Sequence, residues 1–190
     1  MVEIYYEDEC FESRTFEVKE VSGAVFDNCT FKKCDLSEMK LFGTRFVDCS
    51  FVDCNLAMIT LNEVQLANAE FDNCKILGVD FSLCSTFLFS VKFNKSVVDY
   101  SLLKGLKISG TSFIDCSLKY TDFADADLSK SQFIRSNLEG AMFENTNLRE
   151  VDFTTAYGYS IDLDRNVMKK ARFSLQGVMG LLGKYDIRIE

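Results

Sequence analysis

Residues 111–153 read TSFIDCSLKYTDFADADLSKSQFIRSNLEGAMFENTNLREVDF, and their rhythm decides the fold. A large apolar residue returns at every fifth position: Phe113, Leu118, Phe123, Leu128, Phe133, Leu138, Phe143, Leu148 and Phe153. Two positions before each stands a small or β-branched residue, from Thr111 and Cys116 to Thr146 and Val151. A period of five fits neither the 3.6 of a helix nor the 2 of a strand. A chain that turns a corner once per repeat does satisfy it, with one large and one small side chain pointing inward each time. Four corners close a square coil of 20 residues, and coils stack through backbone hydrogen bonds about 4.8 Å apart. One repeat cannot bury its apolar pair alone, so stacking makes the core.

The beat extends backward. Phe11, Phe16, Val21, Phe26 and their successors hold one phase as far as Phe81, and the pattern then slips by two residues and resumes at Leu88 and Phe93. At a spacing of 20, Phe11, Phe31, Phe51, Phe71, Phe93, Phe113, Phe133, Phe153 and Phe173 fall in one column, with the slip counted once. The slip is expected to be a small bulge at residues 82–88. Arg14 and Lys19 stand at small-residue positions, as does Leu106, and local distortion is expected there. Residues 2–6 partly alternate like a strand that covers the first open end.

The tail differs. Ser174 suits an N-cap, Leu175, Val178, Met179 and Leu182 mark one face of a short helix, Gly183 suits its end, and Ile187 and Ile189 alternate like a strand. Gly177 and Gly180 weaken such a helix by roughly 1 kcal/mol each. The division expected is a solenoid over 1–157 and a cap or dimerisation module over 158–190. Val178, Met179, Leu181, Leu182 and Ile187 are too many apolar residues for so small an element to bury, so an isologous homodimer through the tails is expected.

Composition narrows the chemistry. Of 190 residues, 18 are Phe, none is His, Trp or Pro, and the net charge is −8. Direct nucleic-acid binding would need a basic patch. No apolar run approaches the roughly 18 residues of a membrane span, and the acidic start lacks the features of a signal peptide, so a cytoplasmic location is expected. Seven of the eight cysteines (Cys29, Cys34, Cys49, Cys54, Cys74, Cys84, Cys116) take the small inward position, and Cys10 does not. That pattern fits core residues and free thiols better than zinc ligands or disulfides. Without His, a phosphate-binding Gly loop or a concave site, neither catalysis, a metal nor a cofactor is expected.

The outward positions remain. Glu17, Asp35, Glu38 and Glu139 lie on one face of the coil, and Glu63, Asp80, Asp122, Asp125 and Glu144 on the next, which makes them candidates for an acidic partner-binding surface. Ordinary solvation of a rod would give the same asymmetry. Phe42, Met58, Leu77, Tyr100 and Tyr120 could add an apolar patch on adjoining faces.

Ala126-Asp127-Leu128-Ser129-Lys130 matches the A(D/N)Lxx unit of the pentapeptide-repeat family, and Ser136-Asn137-Leu138, Thr146-Asn147-Leu148 and Cys54-Asn55-Leu56 match it with substitutions. The resemblance covers roughly residues 9–157 in about seven coils, about 35 Å of rod. It implies an all-β, right-handed quadrilateral β-helix. The tail resembles the C-terminal module of the family's quinolone-resistance branch, whose members bind DNA gyrase as dimeric, acidic, DNA-like rods. That resemblance implies a DNA mimic with a type II topoisomerase as partner. A scaffold for another protein partner is the alternative.

Overall fold

A computed structural model describes residues 4–185 and 187–188. The five-residue beat becomes geometry through its corners. Each side of the coil is a short extended segment, and a residue with positive φ usually follows it, as at Asp53 (55°), Tyr120 (55°) and Lys130 (62°). That turn redirects the chain, so the next large residue also points inward. Stacked coils then pair in parallel with identical residues in register: Phe31 on Phe51, Phe51 on Phe71 and Phe113 on Phe133.

The result is an all-β solenoid with little helix. Its four faces are named by their inward columns. Face one is the Phe11 column, a sheet of nine parallel strands that begins with Cys10–Glu12 and ends with Arg172–Phe173. Face two follows Phe16, Leu36, Leu56, Ile76, Val98, Leu118 and Leu138. Face three follows Val21, Leu41, Leu61, Phe81, Leu103, Phe123 and Phe143. Face four begins with Tyr5–Glu7, Val25–Asp27, Arg45–Val47 and Gln65–Ala67, which form one sheet of four strands. Nine strands on face one make about eight turns, where the beat read from sequence counts about seven. The difference arises because Phe153 pairs with Phe173 although the intervening beat has decayed.

The core is a file of rings. Phe113, Phe133 and Phe153 stack with centroids 4.8 and 5.0 Å apart and planes within 3°. Phe123 and Phe143 from face three meet this file edge-on. Offset stacks and edge contacts are the favourable aromatic arrangements, and coil spacing imposes both at once.

Two interruptions have local causes. Residues Val18–Val21 form one helical turn in which the Glu20 carboxylate accepts the backbone N–H of Glu17 at 2.7 Å and the Glu17 carbonyl oxygen accepts that of Glu20 at 2.9 Å. This turn replaces a regular side where Arg14 and Lys19 stand at small-residue positions. At the slip, Ser85 N–H still donates to Val64 O at 2.9 Å and Ser90 N–H donates to Leu66 O at 2.8 Å, so the bulge is confined to residues 86–89. Leu88, expected to resume the inward beat, is instead 63% exposed with φ of +56°, and Phe89 packs against the core in its place. The two extra residues have to leave the ladder somewhere, and they do so one residue later than the beat suggests. Leu106, one coil above, is buried and lines the cleft beside the bulge.

The tail folds over the last coil as two 3-10 turns, Gly177–Leu181 and Gly183–Tyr185. Ser174 Oγ accepts the N–H of Gly177 at 3.0 Å, but the residue that flanks the first turn is Gln176, whose side chain caps nothing. The expected α-helix is absent, and Gly183 opens the second turn instead of ending the first. Ile187 and Arg188 are not in a strand, while Val2 and Ile189 lie outside the described residues. Leu181 is 8% exposed and belongs to the core.

Tyr159 explains the tail's glycines. A Cβ on Gly180 would lie 2.3 Å from the Tyr159 carbonyl oxygen, and one on Gly177 would lie 2.0 Å from the Tyr159 hydroxyl. Close approach, not helix formation, is what those positions require. The Tyr159 hydroxyl is buried without a hydrogen-bond partner among the described residues, a loss of roughly 1–3 kcal/mol in desolvation. Tyr159→Phe therefore raises the melting temperature by a few degrees in a calorimetric scan; an unchanged or lower value would mean the hydroxyl is hydrated.

Candidate functional site

The small inward position does more than fill space. Its hydroxyl or thiol donates to the carbonyl oxygen of a large residue in the coil below: Thr121 Oγ1 to Val98 O at 3.0 Å, Ser136 Oγ to Phe113 O at 3.1 Å, and Cys54 Sγ to Phe31 O at 3.3 Å. These carbonyls belong to the central residue of a side, as Phe31 and Phe113 are of their strands, and the inward hydroxyl or thiol gives each buried acceptor a donor from inside the coil. The cysteines thus tie successive coils together from within the core. Seven are buried, Cys10 is exposed, and all eight are free thiols. Burial pushes Cys49 and Cys84 up to about 12 and Cys116 up to about 11. Reactivity needs thiolate, so these groups are poor nucleophiles. Among the described residues no group of three or more His, Cys, Asp or Glu is arranged to hold a metal ion, and no helix is long and apolar enough to cross a membrane.

Chemistry, then, lies on the outside. The candidate carboxylates do fall on two adjoining faces, but most are engaged in the solenoid's own structure. On face two, Glu17 pairs with Lys19 at 2.6 Å and Glu139 with Lys119 at 3.0 Å. Asp35 accepts from the Ser37 hydroxyl and backbone and from Asn55 one coil above, and these bonds hold its carboxyl below the usual range. On face three, Asp80 caps the 3-10 turn Phe81–Leu83, Asp122 accepts the N–H of Ala124, Asp125 accepts from Asn145, and Glu144 pairs with Arg165 at 2.9 Å. Glu38 and Glu63 occupy exposed corners at φ of 58° and 54°.

Sequence periodicity assigns a residue to a face correctly, yet it says nothing of its partner one coil away. The signal that could have found these partners is a spacing of 20. Asp and Asn recur at that interval at the corners, as in Asp48–Asn68 and Asp53–Asn73, bonded at 2.8 and 2.7 Å.

An exposed apolar ladder accompanies the carboxylates along the edge of face two. Tyr100 and Tyr120 stack at 5.0 Å and 12°, and each is about half exposed. Tyr120 lies over Gly140 and Met58 over Gly78, where a Cβ would meet the covering side chain at 2.5 and 2.7 Å. Phe42 and Met58 are also exposed, while Leu77 is only partly so. In the tail, Val178, Met179 and Ile187 are exposed and Leu182 is partly exposed. Leu175, at 87%, protrudes most.

A crevice of about 300 Å³ lies where the tail meets the last coil, lined by Glu144, Asp162, Arg165 and Lys184 among others. Its charges are mutually paired: Lys184 bridges Asp162 and Asp164, and Arg165 reaches Glu144. Such a crevice locks the cap in place and presents no isolated acid, base or nucleophile.

Comparison with known proteins gives the following. A family profile described as a pentapeptide repeat region matches residues 24–103, and one described as pentapeptide repeats (8 copies) matches 102–133 and 116–154. No curated protein matches in sequence. Among solved structures, a trypsin-treated form of QnrB1, described as a plasmid-mediated fluoroquinolone resistance protein, is 18% identical, with a TM-score of 0.47 over 97% of this chain and 99% of that one. HetL, from the cyanobacterium Nostoc sp. strain PCC 7120 and described as involved in heterocyst differentiation regulation, is 16% identical, with a TM-score of 0.29 over 90% of this chain and 85% of that one. A protein from the Arabidopsis thaliana thylakoid lumen is 22% identical, with a TM-score of 0.25 over 67% of this chain and 70% of that one. Likeness at this level carries no argument about partners.

Proposed function

This chain belongs to the pentapeptide-repeat family, and on that footing we propose that it is a non-catalytic interaction rod whose acidic faces engage a basic protein surface. The observation that carries the reading is the alignment of nine carboxylates, Glu17 to Glu144, along two adjoining faces of one rigid rod. A narrow rod with repeating negative charge suits a channel that evolved to hold DNA. The specific partner proposed is therefore a type II topoisomerase such as DNA gyrase, bound as a DNA mimic. The stacked Tyr100 and Tyr120 supply apolar contact area beside the carboxylates, since aromatic side chains are enriched where interfaces bury surface.

A supercoiling assay tests this. Micromolar protein is expected to reduce gyrase supercoiling, and the effect is expected to weaken as salt rises, because it depends on exposed charge. Replacing Glu38, Glu63 and Asp125 by lysine should abolish it while leaving the melting temperature within a few degrees. No binding and no change in supercoiling would remove gyrase as the partner. Retrieval of a different basic protein, lost with the same three substitutions, would keep the rod and its acidic faces and change only the partner.

A further inference from the structure

Face four is divided into two halves of opposite charge by the bulge. Four rungs lie below it, centred on Tyr6, Phe26, Phe46 and Leu66, and four above, centred on Ile108, Leu128, Leu148 and Met168. The lower half, with its trailing corner, carries Glu7, Asp8, Asp27 and Asp48 against Arg45, an excess of three negative charges. The upper half carries Lys107, Lys130, Arg149, Lys169 and Lys170 against Asp127 and Glu150, an excess of three positive charges. None of those five cations forms an ion pair among the described residues, whereas cations elsewhere on the rod commonly do, as Lys92, Lys119, Arg135 and Arg172 show.

At the midpoint, Phe87 and Leu88 stand out of the ladder, 68% and 63% exposed. On either side of them is a cleft. One of about 230 Å³ is lined by Thr86, Phe89, Gly105, Leu106 and Lys107, and one of about 430 Å³ lies toward Asp48 and Asn68. A void of about 150 Å³ already admits benzene, so either cleft has room for a phenyl ring.

We propose that a second copy of this chain docks antiparallel and side by side against face four, with the twofold axis at the bulge. An isologous contact places the same patch on both partners. Here the twofold sets the acidic half of each rod on the basic half of the other and brings each Phe87 against the flank of its partner's bulge. A parallel arrangement would oppose like charges along the whole face. The contact uses the residues of face four and none of the nine carboxylates of faces two and three, so it is independent of the partner reading above. It is also distinct from a contact through the tails.

Sedimentation equilibrium at submillimolar concentration and low salt tests it. The wild type is expected to show twice the chain mass, and to return to the single mass near 1 M salt, where the screening length falls to about 3 Å. Asp27→Lys with Asp48→Lys makes the face basic throughout, and Lys130→Glu with Arg149→Glu makes it acidic. Each double variant should sediment as a single chain, and a one-to-one mixture of the two should recover the doubled mass. Phe87→Ser with Leu88→Ser should give single chains, with circular dichroism and melting showing that every variant is folded. A wild type that stays single overturns the proposal, as does a mixture that fails to pair. A dimer that survives these changes but is lost with Met179→Glu assigns pairing to the tail and overturns it equally.

Discussion

Phe133→Ala is expected to cost about 3–5 kcal/mol, the range for truncating a fully buried aromatic side chain. Phe133 is 0% exposed. It stacks on Phe113 and Phe153 and takes the edges of Phe123 and Phe143, so one truncation removes four ring contacts. Set against a typical domain stability of about 5–15 kcal/mol, that loss approaches the threshold of folding. A solenoid adds a second consequence, because each coil is stabilised only by its neighbours. The gap falls between the coils below Phe133 and those above, so unfolding should split into two transitions, with the C-terminal coils melting first. Thermal melts followed by hydrogen exchange check both points. Gln132→Ala, at an exposed position on the same strand, is the control and should fall within about 0.5 kcal/mol of wild type. A Phe133→Ala loss under about 1 kcal/mol would mean that the ring file is not the core.

In the native protein, one thiol of eight should react with an aromatic disulfide reagent at the rate of a free cysteine. That thiol is Cys10, the one exposed cysteine. The other seven are buried at 5% exposure or less, and several are pushed far above neutrality by burial. Each must wait for its coil to open. Every 1.4 kcal/mol of opening free energy slows the reaction about tenfold, so protection of roughly a thousandfold or more is expected wherever opening costs about 4 kcal/mol. Cys29 and Cys34, nearest the N-terminal end, should be the first of the seven to react, because terminal repeats have a neighbour on one side only. In denaturant all eight should react together. Two or more fast thiols in the native state would show that the corners open freely. A chelator should change neither rate.

How far the fold could be read from the chain depends on whether a feature is periodic. Phe51 over Phe71 and Phe113 over Phe133 follow from spacing alone, because only one closed path puts every fifth residue inside. The bulge does not. A two-residue slip gives the phase on either side but not the path between, and two adjacent apolar residues, Leu88 and Phe89, were both able to fill the core. The larger ring took the inside, and Leu88 went to solvent. In the tail, spacing suggested an α-helix, but Tyr159 draws Gly177 and Gly180 so close that the segment winds as 3-10 turns, and Leu181 turns into the core. The carboxylates of faces two and three were assigned to their faces from sequence, while their ion pairs with Lys119 and Arg165 appear only once coils are stacked.

The chain alone therefore determined that this protein is a stack of four-sided coils with Phe at its centre and small, often thiol-bearing, residues at its corners. A repeated pattern states the same constraint dozens of times, and hydrophobic burial leaves it one solution. Only the tertiary structure decided where the repeat is broken, which carboxylates are engaged by their neighbours, and that the bulge falls midway along a face whose halves carry opposite charge. Those features depend on what lies 20 or 22 residues away, across a coil boundary where single, unrepeated side chains compete for one space.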